Sequence, residues 1–116
     1  MKKSAETNMQ EKSKMAEISD YHKLTLVEVR ANWSGGSHLM DLIVNRVEKQ
    51  FDSQIRVVRI DFETHREILF QFGVEGAPAI LLIRKGQVVE VINETLSQKN
   101  LEGLIHIHLL QDNCFN

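Results

Sequence analysis

The sequence predicts an α/β domain: a central mixed sheet, parallel strands then an antiparallel hairpin, flanked by helices. Two observations carry this. Apolar stretches rich in β-branched residues, Leu24–Arg30 and Ile55–Asp61, are separated by a crossover with helical periodicity, which requires parallel pairing and a right-handed connection. Later, Lys85-Gly86 joins Ala79–Arg84 to Gln87–Ile92, and so short a link permits only an antiparallel hairpin. With 116 residues, the chain is long enough for one domain with a modest core.

Residues 1–20 are polar, and Met9, Met15, Ala16 and Ile18 are the candidates there for burial. A polar extension or a helix over 6–19 is expected, since Glu, Lys, Met, Gln and Ala favour helix. The domain proper is expected to span 21–110, followed by a loose tail over 111–116. Leu24–Arg30 reads as a strand buried on both faces at its start. After Trp33, Leu39, Ile43, Val47 and Phe51 recur four apart with Met40 and Val44 beside them, predicting one broad apolar helix face. Asp41, Asn45, Arg46, Glu48 and Lys49 fall on its wet side. Ile55–Asp61 is the next strand, and Thr64-His65-Arg66-Glu67 reads as a capping box opening a short helix. Gly73 is a natural stop for that helix. Ser97 is expected to cap a last helix carrying Leu101, Leu104, Ile105, His108 and Leu109. The sequence shows no repeat, low-complexity tract or domain linker.

The balance of 14 basic and 16 acidic residues produces no field that argues for nucleic acid or an anionic membrane. No apolar run approaches the length of a membrane span, and Met1-Lys2-Lys3 has no apolar segment behind it, so a cytoplasmic location is expected. The one cysteine, Cys114, cannot form an internal disulfide and reads as an incidental tail thiol.

The candidate site is Trp33-Ser34-Gly35-Gly36-Ser37, between the first strand and the first long helix. Ser34 reads as a helix cap rather than a nucleophile, because His38 directly follows Ser37 and adjacent helical side chains diverge. His22, His38, His65, His106 and His108 do not have the spacing of a metal site. Gly35-Gly36 lacks the frame of a phosphate loop. Neither metal nor cofactor is expected.

The element order, Ala31-Asn32-Trp33-Ser34-Gly35-Gly36-Ser37 after the first apolar strand, and Gly73-Val74-Glu75-Gly76-Ala77-Pro78-Ala79 before the hairpin together resemble the thioredoxin family over about residues 22–110. The resemblance implies the thioredoxin fold. It places Ser34 and Ser37 where the family carries its two redox cysteines, and Gly36 where it carries the intervening proline. It matches Glu28 to the family's buried acid and Arg59 to its buried lysine partner, here a charge pair on neighbouring strands. It matches Pro78 to the family's cis-proline, Ala79 to a threonine that commonly follows it, and Glu94 to a glycine beside the substrate groove.

Thiol–disulfide exchange needs a thiolate to attack and a second thiol to resolve the mixed disulfide. A helix N-terminus makes a cysteine thiolate common near neutrality but leaves a serine hydroxyl protonated. With Ser34 and Ser37 as vestigial redox positions, the expectation is a protein that has lost dithiol chemistry. It would bind a protein or extended peptide along a shallow groove formed by Trp33, Gly35, Gly36, Ala77 and Pro78, pairing with the Ala77 backbone in the manner of strand addition. One rival is a thioredoxin-type oxidoreductase in which the serines replace native cysteines, or one using Cys114. Another is a structural role, with the N-terminal segment or a sheet edge as the interface.

Overall fold

The computed structural model describes residues 24–114, so the expected helix over 6–19 lies outside the described residues. Four strands form one sheet: β1 (Leu24–Arg30), β2 (Ile55–Asp61), β3 (Ala79–Arg84) and β4 (Gln87–Ile92), in the spatial order β2-β1-β3-β4. β1 and β2 run parallel, with Leu24 opposite Ile55 and Glu28 opposite Arg59. β3 is antiparallel to both β1 and β4. The helices are α1 (Gly35–Phe51), α2 (Arg66–Gln71) and α3 (Gln98–Cys114), with a 3-10 turn over Asp52–Gln54. This is the mixed, helix-flanked sheet that the sequence predicts.

Alternation along the strands separates two cores. Val27, Val29, Val58, Ile60, Leu81 and Ile83 point to the face carrying α2 and its Leu69. Leu24, Leu26, Ile55, Ile80 and Leu82 point the other way and pack with Met40, Val44, Val47 and Phe51 of α1 and Leu101 and Ile105 of α3. The parity of β1 therefore points Glu28 to the same side as Leu24 and Leu26, beneath α1.

Local chemistry explains the boundaries. Lys85 and Gly86 both adopt positive φ, 53° and 80°, the pair of conformations a two-residue hairpin link demands. At the end of α2 the Val74 amide bonds the Leu69 carbonyl and the Gly73 amide bonds that of Phe70, with Gly73 at φ 91°. This double closure is the Schellman arrangement, and it explains the glycine. Ser97 caps α3, its Oγ accepting the Asn100 amide at 3.1 Å.

Three expectations are corrected. The capping box at Thr64 does not form: α2 starts at Arg66 with His65 before it and no side-chain cap. Thr64 instead turns back, its amide and its hydroxyl both donating to Asp61 Oδ2, at 3.1 and 2.7 Å. Asp61, fixed at the end of β2, outcompetes the helix for that hydroxyl. On α1, the buried residues are Ser37, Met40, Val44, Val47 and Phe51, while Leu39 is 52% exposed. A row of residues four apart drifts around a helix of 3.6 residues per turn, so the row that meets the sheet at Phe51 has left it at Leu39. Finally, α3 continues to Cys114, past the expected domain end at residue 110.

Candidate functional site

β1 ends at Arg30 and α1 begins at Gly35, so the connecting turn places Ser34 at the N-cap. Ser34 Oγ accepts the Ser37 amide at 3.1 Å. Ser37, one turn into the helix, points back, and its Oγ accepts the Ala31 amide at 3.1 Å. The turn is closed further by the Ser34 amide, which donates to the Ala31 carbonyl. Both serines are buried. Each hydroxyl thus satisfies a backbone donor that the end of a strand and the start of a helix leave open.

Facing this turn is the loop Val74–Pro78, in which the Ala77–Pro78 peptide bond is cis. A Cβ added to Gly36 would lie 3.2 Å from the Pro78 Cδ and Cγ and 3.5 Å from the Thr95 methyl. Gly36, Pro78 and Thr95 therefore meet, and a side chain at 36 would force them apart. Behind them Asn93 ties two loops together: its Oδ1 accepts the Glu75 amide at 2.9 Å and its Nδ2 donates to the Gly73 carbonyl at 3.1 Å. Val91, Ile92, Asn93, Glu94 and Leu96 line an open hollow of about 400 Å³ beside this tie.

Trp33 is 65% exposed and projects from the turn, with its indole N–H donating to Glu63 at 3.3 Å. Glu63 also pairs with Arg66, whose guanidinium lies over the Phe62 ring. The structure brings Gly36 and Pro78 together and leaves Ala77 partly exposed beside them, with Trp33 and Gly35 on the outer side of the turn.

Glu28 is fully buried under α1. Its Oε1 accepts from Arg59 Nε at 3.1 Å, and its Oε2 has no hydrogen-bond partner among the described residues. Burial, reinforced by the negative charge of Asp41, pushes the Glu28 carboxyl up to about 7; the Arg59 charge opposes this without cancelling it. The reason is that Arg59 is shared. Its outer nitrogen also donates to Asn45 at 2.7 Å and Glu48 at 3.3 Å, and its Nε lies 3.5 Å from Asp41. Burial works against ionisation of Asp41 too, but the hydrogen bond and charge of Arg30, at 3.1 Å, hold that carboxyl below its ordinary value.

Glu28 and Arg59 pair across β1 and β2. Asp41, Asn45 and Glu48, which the pattern places on the wet side of α1, all engage Arg59. Their helical spacing was a usable signal, since residues 41, 45 and 48 form one polar stripe that a cation on the sheet below can reach. Glu63, Asn93 and Thr95 carry no such signal. Among the described residues, no group of three His, Cys, Asp or Glu side chains is placed to hold a metal ion. His106 packs its ring against Phe51 at 5.0 Å, while His108 is held between Glu90 and Arg84.

A sequence model of the family described as Thioredoxin matches residues 5–106. The chain belongs to the thioredoxin family. "Thioredoxin 1" of Nostoc sp. is 23% identical over 93 residues, covering 80% of this chain and 87% of that protein. The thioredoxin of Haemophilus influenzae is 26% identical over 84 residues, covering 72% and 78%. That of Synechocystis sp. is 20% identical over 106 residues, covering 91% and 99%. Among solved structures, a mutant thioredoxin from Halobacterium salinarum superposes with a TM-score of 0.71 at 22% identity, covering 80% of each chain, and establishes the likeness of fold.

Proposed function

We propose that this member of the thioredoxin family is a protein- or peptide-binding module that has given up dithiol chemistry. The observation that carries this is the use of the two hydroxyls. Ser34 Oγ and Ser37 Oγ each accept a backbone amide at 3.1 Å, so both positions have become part of the turn's own hydrogen bonding. A serine cannot form the mixed disulfide that the exchange reaction passes through. What binding needs is retained nearby: an exposed Trp33, and Ala77 and Pro78 beside Gly36 and Thr95. An extended segment laid across Trp33, Gly35, Gly36, Ala77 and Pro78 would bond to backbone and bury apolar surface, and neither contact requires sulfur. We read the module as an adaptor or chaperone-like factor acting in the cytoplasm. No helix among the described residues is long and apolar enough to cross a membrane.

Two measurements test the reading. Insulin reduction by the purified native chain should show no catalysed turnover above the dithiothreitol background; turnover abolished by Cys114→Ser would overturn the proposal. Binding of a fluorescein-labelled octapeptide of alternating valine and serine, followed by anisotropy, should weaken at least about tenfold with Ala77→Asp, which is about 1.4 kcal/mol. Unchanged binding would remove the groove from the account.

A further inference from the structure

The groove has a charge that its apolar lining does not explain. The site end of the sheet carries Asp61, Glu63, Glu75 and Glu94, against Arg30 and Arg66. Arg66 is paired with Glu63, Asp61 is bonded to Thr64, and Arg30 is paired with Asp41. Glu75 and Glu94 remain exposed, and their carboxylates make no ion pair or hydrogen bond among the described residues. Both border Asn93, which holds the Glu75 amide and adjoins Glu94, and Glu94 also lines the hollow formed with Val91, Ile92 and Leu96. The next cation along the chain, Lys99, lies beyond Ser97 on the exposed side of α3.

The opposite end of the sheet has the reverse sign. Arg84 ends β3 and Lys85 opens the hairpin link, the parallel strand beside β1 enters through Arg56, and Lys49 lies in the last turn of α1, against Asp52 in the 3-10 turn. The domain is thus polarised along its strands, with the negative end at the groove.

We propose that the segment bound in this groove is basic: an extended stretch of a partner protein that runs past Gly36 and Pro78 and sets a lysine or arginine over the hollow lined by Glu94, with Glu75 on the neighbouring loop tied to Asn93. This rests on the groove reading above and adds the partner's chemistry to it. The apolar floor of Ile92 and Leu96 suits the methylene stem of such a side chain, and the two carboxylates suit its head. Exposed carboxylates contribute little static affinity in water. Their effect is to steer and select, so it is sensitive to salt. An acidic segment would meet two unpaired charges of its own sign.

Two labelled octapeptides of the same alternating valine–serine scaffold, one with two central serines replaced by lysine and one with the same positions replaced by glutamate, separate the possibilities. At 20 mM salt the lysine peptide should bind at least about fivefold more tightly than the glutamate peptide. The preference should vanish in 0.5 M NaCl and in the Glu75→Gln/Glu94→Gln variant, and should reverse with Glu94→Lys. Equal binding of the two peptides, with both still weakened by Ala77→Asp, overturns the basic partner and leaves the groove standing. Binding of neither, or binding indifferent to Ala77→Asp, overturns both.

Discussion

The two halves of the site are built on opposite principles. In the turn from Ala31 to Ser37, polar groups are spent internally: Ser34 caps α1, Ser37 holds the Ala31 amide, and the Ser34 amide closes the loop. In the loops from Gly73 to Pro78 and Asn93 to Leu96, Asn93 provides the tie, Glu75 and Glu94 are left exposed, and Ala77 is half-buried against the core. One half uses its polar groups within the turn, and the other leaves polar groups exposed. On the proposed reading the two roles can separate, because the serine positions and the proposed contact positions belong to different segments meeting at Gly36 and Pro78.

The completeness of the closed half ends at its floor, and that is where the largest effect is expected. Glu28 binds its proton more tightly in the folded protein than in the unfolded chain, rising from 4.5 to about 7. Its contribution to stability is therefore fully present below pH 4.5 and is lost as pH climbs through about 7. Glu28→Gln, which cannot ionise, should escape that loss and gain up to about 3 kcal/mol over the native chain between pH 4 and pH 8. Urea unfolding at the two pH values measures it, and a parallel pH dependence in both proteins would mean that Glu28 is ionised at no cost.

Within the turn, Ser37→Ala should cost about 2 kcal/mol, because the buried Ala31 amide loses its acceptor. Ser34→Ala should cost about 1 kcal/mol as the loss of a helix cap. Both are read from urea midpoints, and neither should change peptide affinity by more than about twofold. A variant of either serine that abolishes binding while remaining folded would erase the distinction between the two halves.

The sequence made the strands, the hairpin and the site turn legible because each depends on local pattern: β-branched alternation, a Lys-Gly link, a strand running into a helix. Leu39 misled because a row four apart matches a helix face only over a short length. Thr64 misled because the spacing of a capping box says nothing of Asp61, which claims the hydroxyl from the other side. Asp41, Asn45 and Glu48 look solvent-bound because patterning sorts polar from apolar and is blind to the half-buried Arg59 beneath the helix. The Asn93 tie and the contact of Thr95 with Gly36 join segments far apart in the chain, and no local pattern records them.

Trp33 is the chain's one tryptophan and projects from the turn beside the proposed groove, so it would report on occupancy. Acrylamide quenching of its fluorescence, measured with and without saturating valine–serine octapeptide, tests the central claim. Shielding of Trp33 by the peptide in the native chain, lost in Ala77→Asp, is the expected result. Peptide binding that leaves Trp33 fully open to quencher would contradict it.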